Sequence, residues 1–274
     1  MRLPVGTSPD GPIAAAVTPR NQREEIDFGA GYELIDFLSR SGVSGIALFT
    51  AIGEYAALSP DERSRFLCLA IRRSRVPVYV GIGAATLDSA LALARDARDA
   101  GACGLLLPPP FGFAYEQDDI REFYHQFAAH TTVNTPAHAD AGPPVYLIDS
   151  PGLCTPIDPA TAKAIVAEGG FAGFADAVSA PAGAIPEVVV AKYKASREGR
   201  DEAVTIAQGM LEEFDAWTRQ FPAPVALKTA VALRGVKTGH LPVPLTAKKQ
   251  QRLEEFRAWF SNWLPAAKKQ CANA

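Results

Sequence analysis

The chain has 274 residues, 48% of them hydrophobic, which suffices for a sizeable core in one large α/β barrel or two smaller domains. Its 27 basic and 30 acidic residues leave a net charge of −3, which gives no basic footprint for nucleic acid, and none of the four histidines stands in a metal-ligand spacing. No run of roughly 18 apolar residues predicts a membrane span, and Met1-Arg2-Leu3-Pro4-Val5-Gly6 lacks the apolar stretch of a signal peptide.

Taken in chain order, short apolar runs alternate with helical patterns. Ile13 to Val17 reads as a strand ending at Thr18-Pro19, and residues 25–40 carry a helical stripe at Ile26, Leu34, Ile35 and Leu38. Val43 to Thr50 is a second strand. Ser59-Pro60-Asp61-Glu62 then opens a helix to about residue 74, with an N-cap serine, proline at the first position and acids in the first turn. Pro77 to Gly83 is the third strand and Thr86-Leu87-Asp88 starts the next helix, ending near Ala100-Gly101. Gly104 to Leu107 is the fourth strand, followed by a helix over 118–130. Residues 131–143 form a polar loop rich in Pro, Gly and Ala. Pro144 to Ile148 is the fifth strand, Asp158 to Glu168 a helix capped by Asp158, and Phe171 to Val178 the sixth strand. From Pro186 the pattern is helical: one long or broken helix over 187–220, then Pro224 to Arg234 and Thr246 to Trp263.

Alternating βα units with continuous apolar strands indicate a parallel sheet covered by helices. Gly81-Ile82-Gly83 lacks the third glycine and the acidic residue of a dinucleotide fingerprint. The reading is a TIM-type (β/α) barrel with about six clear strands, and so incomplete, plus a C-terminal helical extension. Residues 1–185 form the barrel portion and 186–274 a helical region packed on it. Exposed parallel edges are a liability, so the gap should be filled by a helix, the 131–143 loop or another subunit. Cys68, Cys103, Cys154 and Cys271 are scattered without CxxC spacing, which predicts buried free thiols and a reducing cytoplasm.

Specific residues resemble the dihydrodipicolinate synthase / N-acetylneuraminate lyase family of class I aldolases. Ala16-Val17-Thr18-Pro19 is similar to that family's first-strand ending. Gly42-Val43-Ser44-Gly45, Gly53-Glu54 and Leu58-Ser59-Pro60-Asp61-Glu62-Arg63 resemble its second unit. Pro108-Pro109-Pro110-Phe111, Tyr146-Leu147-Ile148-Asp149-Ser150-Pro151-Gly152 and Ala226-Leu227-Lys228-Thr229-Ala230 fit later pieces. The resemblance implies Schiff-base chemistry on an oxo-acid. A barrel lysine supplies the amine, a tyrosine shuttles protons, and hydroxyls with backbone N–H groups hold the carboxylate. No cofactor is implied, and the family's usual tetramers imply a homo-oligomer.

Position by position, the chain departs from that kit. The lysine's Gly-hydrophobic-Lys-acid pattern reads Gly173-Phe174-Ala175-Asp176, with Ala175 in the lysine's place. The catalytic tyrosine's position is Ile148, before Asp149-Ser150-Pro151. The carboxylate-binding loop reads Thr50-Ala51-Ile52-Gly53-Glu54, and a second relay tyrosine aligns with Phe111. One βα unit and a strand are missing, so residues 171–179 stand either for the sixth strand or for the eighth with the sixth deleted; the lysine is absent in both cases. Thr50, Ala51, Ile52, Glu54, Phe111, Ile148, Asp149, Ala175 and Asp176 are the pocket candidates, with Ala51, Ile52, Phe111, Ile148 and Ala175 expected to face a common space.

Plainer roles compete at each position. Glu54 fits a structural acid, and Asp149 and Asp176 fit loop caps. Lys192 and Lys194 fit a solvated face, His125 and His130 surface or packing positions, and Trp259 with Trp263 a packing or oligomer contact. Lys228 belongs to the C-terminal helices, so neither it nor Lys163, Lys192 or Lys194 is expected to reach the strand ends. The reading is a family member without Schiff-base chemistry, a pseudoenzyme with a small-ligand-binding or regulatory role, its candidate ligand a small oxo-acid or apolar molecule. The alternative is an active lyase or hydrolase on a small oxo-acid that uses Asp149, Asp176 or Glu54.

Overall fold

Apolar runs bounded by Gly and Pro open the strands of a parallel sheet: β1 (Ile13–Ala15), β2 (Gly45–Leu48), β3 (Val78–Gly81), β4 (Gly104–Leu107), β5 (Val145–Leu147) and β6 (Val178–Ser179). This computed structural model describes residues 10–131, 142–239, 241 and 243–273. The strand order is β5-β4-β3-β2-β1-β6, every pair parallel. Helices α1 (Phe28–Arg40), α2 (Pro60–Arg73), α3 (Leu87–Ala100), α4 (Gln117–His130) and α5 (Pro159–Glu168) follow the first five strands in turn. Among the described residues this is the TIM-type arrangement with six strands instead of eight.

Local chemistry fixes the helix starts. Asp27, Thr86 and Asp158 cap α1, α3 and α5, each side chain accepting the backbone N–H of the residue three positions on. At α2 the cap is reciprocal: Ser59 Oγ accepts from Glu62 N at 3.3 Å, and the Glu62 carboxylate accepts from Ser59 N at 2.9 Å.

The two edges of the sheet do not stay apart. Ala172 N donates to Val145 O and Ala175 N to Leu147 O, while Gly173 O accepts from Leu147 N. A few residues on, Ala177 O accepts from Ile13 N, and Val178 and Ser179 pair with β1. Residues 172–179 therefore serve the edge of β5 first and the edge of β1 next. A helix, the 131–143 loop or another subunit was expected over the gap; the chain bridges it with this segment instead. Residues 132–141 of that loop lie outside the described residues. The segment takes up both roles left open for it, sixth strand against β5 and last strand against β1.

The strands sort their side chains by alternation. Ala14, Ile46, Leu48, Val78, Val80, Leu105, Leu107, Val145 and Leu147 belong to the main core between sheet and helices. Ile13, Ala47, Tyr79, Leu106 and Tyr146 form a second buried cluster, with Ile148, Ala175, Ala177 and Val178 against it. That cluster lines the concave face of the sheet. Glycine is required beneath Tyr79: a Cβ at Gly104 would lie 2.6 Å from the Tyr79 ring and one at Gly45 2.8 Å from it.

The remaining helices are α6 (Pro186–Arg197), α7 (Asp201–Thr218), α8 (Val225–Leu233) and α9 (Ala247–Asn273). Of the two forms expected over 187–220, one long helix or a broken one, the chain takes the broken one, with the break at Gly199, whose φ is 68°. The last helix runs past its expected end at Trp263, through Pro265, because Ala267 is buried and Cys271 packs on the core. Trp259 and Trp263 stack at 5.0 Å and join Phe214, Phe256 and Phe260 between α7 and α9. No described helix is long and apolar enough to cross a membrane. The four cysteines are free thiols, but Cys68 is exposed and the others are half-buried, so the expectation of burial is corrected.

Candidate functional site

The loops after the strands meet at one end of the sheet. After β2 the chain makes two 3-10 turns, Ala51–Gly53 and Tyr55–Ala57, joined at Glu54 in the left-handed region (φ 58°, ψ 34°). A non-glycine residue adopts that conformation rarely. Here the side chain holds it: Glu54 Oε1 lies 2.5 Å from Lys228 Nζ and Oε2 lies 3.3 Å from Arg20 Nε, with Lys228 fully buried and Glu54 nearly so. Burial pushes the Lys228 ammonium below its ordinary pKa, and the Glu54 charge pushes back. Thr18 Oγ1 donates to Gly53 O at 2.7 Å, tying the same turn to the end of β1. Lys228 was expected to stay away from the strand ends; it reaches the loop after β2 from α8. There it serves an ion pair.

Next to this cluster lies a second, largely neutral one. The Tyr55 hydroxyl is 3.4 Å from Cys154 Sγ, and Cys154 Sγ is 3.1 Å from Pro109 O. Burial raises the Tyr55 phenol and the Cys154 thiol above their ordinary pKa values, so both hold their protons at neutral pH. Arg63 stacks 5.4 Å over the Tyr55 ring and donates Nη1 to Gly83 O at 2.9 Å and Nη2 to Tyr55 O. Burial lowers its guanidinium to about 10. Phe111 packs edge-on against Tyr55 at 5.7 Å.

The pocket candidates divide between these places. Thr50 is buried and its Oγ1 finds no hydrogen-bond partner among the described residues. Ala51 and Ile52 lie in the first 3-10 turn, where Ile52 packs on the main core, as Phe111 does. Ile148 and Ala175 lie with the inner cluster instead. Asp149 Oδ1 accepts from Ile157 N at 3.2 Å and ties down the loop after β5. Asp176 is exposed beside a cavity of about 170 Å³ at the inner cluster. The three acids thus have separate surroundings: an ion cluster, a loop cap and solvent. Among the described residues no group of three or more His, Cys, Asp or Glu side chains could hold a metal.

Sequence reasoning passed over Arg20, Tyr55 and Arg63 as site residues. Tyr55 could have been noticed as a large side chain directly after Glu54. The pairing of Lys228 with Glu54, far apart in sequence, leaves no local signal.

The sequence pattern of the dihydrodipicolinate synthetase family matches residues 8–136, which run from before β1 through α4. An uncharacterized DapA-like lyase of Halobacterium salinarum is 27% identical over 266 residues, 86% of this chain and 88% of its own. The 4-hydroxy-tetrahydrodipicolinate synthase 1 of Halalkalibacterium halodurans is 25% identical over 278 residues, 88% of this chain and 94% of its own. In fold, the chain resembles the 4-hydroxy-tetrahydrodipicolinate synthase of Methylacidiphilum fumariolicum SolV, with a TM-score of 0.77, 20% identity and coverage of 95% and 99% of the two chains. The Escherichia coli K12 prophage protein YagE, solved with pyruvate, aligns with a TM-score of 0.76 and 22% identity over 92% of this chain and 97% of its own. Motif order, relatives along most of the length and the shared barrel agree: the chain is similar to members of the dihydrodipicolinate synthetase family, whose pattern it carries over residues 8–136.

Proposed function

We propose that this family member has given up Schiff-base chemistry and keeps the barrel as a binding or regulatory scaffold, a pseudoenzyme. The observation that carries the reading is the state of its lysines. None lies on β1 to β6, and among the described residues the only buried one, Lys228, is held at 2.5 Å by Glu54. An imine needs a neutral amine with room for the carbonyl carbon. An exposed lysine near its ordinary pKa of about 10.4 is only about 0.1% neutral at pH 7.4. Burial lowers the Lys228 pKa and the Glu54 carboxylate opposes that shift, but the amine is fully enclosed and held against Glu54, with no open face for a carbonyl carbon. The inner cluster, where Ile148 and Ala175 stand in for the proton shuttle and the amine, is apolar except for the phenols of Tyr79 and Tyr146. A pyruvate carboxylate there would be buried without a cation among the lining residues, at a cost of several kcal/mol.

The division into a barrel portion, 1–185, and a helical region, 186–274, belongs to this reading, as do a cytoplasmic setting and a homo-oligomeric state. The test is incubation with pyruvate and borohydride, followed by intact-mass spectrometry and peptide mapping. No lysine should gain mass. A stoichiometric adduct confined to one lysine, Lys228 above all, would sink the reading and identify a relocated nucleophile.

A further inference from the structure

We propose that the hollow on the concave face of the sheet is a binding site for a small, neutral, planar aromatic molecule, between benzene and phenol in size. The hollow measures about 170 Å³. Ile13, Tyr79, Leu106 and Tyr146 line it from the sheet, and Ala175 and Ala177 from the closing segment. It exists because large rings on one side face two alanines on the other. Tyr79 cannot swing in to fill it without leaving its seat over Gly45 and Gly104, where the glycines make room for its ring. Tyr146 holds Tyr79 edge-to-face at 6.3 Å.

Size, polarity and charge each restrict the occupant. Apolar cavities of about 150 Å³ stay dry and admit benzene, because a void leaves its lining without dispersion partners. The two tyrosine rings offer faces and edges for a third ring. The phenols are the only polar side chains among the lining residues apart from Asp176, which is exposed to solvent. Among the described residues no cation lines the space, so a carboxylate would enter without a counter-charge and against the charge of Asp176. An ammonium would lose its hydration with only a solvated acid nearby, which also costs several kcal/mol. A neutral ring with at most one hydroxyl meets neither penalty.

This inference rests on the reading that the barrel interior holds no reactive amine, but its test is separate. Phenol, benzoate and pyruvate are titrated into the full chain by calorimetry. Phenol should give a saturable one-to-one isotherm at millimolar concentration or tighter, and benzoate should bind at least roughly ten-fold more weakly. In protein carrying labelled alanine methyls, phenol ring protons should show nuclear Overhauser contacts to Ala175 and Ala177. Ala177→Leu fills the hollow and should weaken phenol by about ten-fold or more; the methyl contacts in the unaltered chain decide the matter if that variant does not fold. Absence of saturable phenol binding, contacts to other methyls, or benzoate binding as tight as phenol would overturn the proposal. A borohydride adduct would overturn the pseudoenzyme reading without bearing on phenol.

Discussion

Glu54 joins three stretches of chain: its carboxylate meets Arg20 after β1 and Lys228 in α8, and its own backbone turns the loop after β2. Removing one partner of a buried ion cluster leaves the others charged and unpaired, which costs about 3–5 kcal/mol. Glu54→Gln keeps the shape and removes the charge, so it should destabilise the fold by that order, read as a lower denaturant midpoint at unchanged slope. A loss within about 0.5 kcal/mol, the usual range for a surface substitution, would show that Glu54 is dispensable to the fold. The acid was legible in the sequence as a structural residue of the resembled loop. Its partner Lys228 was not, because an ion pair between a rim loop and a C-terminal helix obeys no spacing rule. Only the three-dimensional packing brings them together.

At the scale of elements, strands and helix starts were legible because each has a local cause. Apolar runs ended by Gly or Pro gave β1 to β5, and Ser59 with Glu62 gave the reciprocal cap of α2. The closing segment was only half legible. Its apolar character predicted a strand, but a hydrogen-bonding duty divided between two distant edges depends on how far the sheet curls. Ala175→Pro tests that duty by deleting the amide that donates to Leu147 O. Hydrogen exchange should then speed up around residues 145–148 and 172–179 and stay as before in α2 and α3. Uniform exchange across the chain, or no change in these two segments, would contradict a bridging role. Helix α9 was misjudged at its C-terminus for a related reason. Pro265 is a local stop signal, and the burial of Ala267 overrides it.

For the whole molecule, the main core runs without a break from α1 and α2 through the sheet to α6, α8 and α9. The sequence suggested a boundary at residue 185; packing on both sides of it favours one cooperative unit. The three tryptophans, Trp217, Trp259 and Trp263, all lie in α7 and α9, so their fluorescence follows the helical region, whereas far-ultraviolet circular dichroism follows the entire chain. The two signals should trace one coincident denaturation curve. Two separated transitions would show that residues 186–274 melt on their own. The segment that closes the sheet also fixes how much space lies within. Barrel diameter grows with strand number, so dropping two staves narrows the bore. In this chain Tyr79 and Tyr146 stand within it and line a hollow of about 170 Å³. On the proposed reading, a lysine introduced at Ala175 should therefore not by itself give aldolase activity: it would take up the room that a substrate needs.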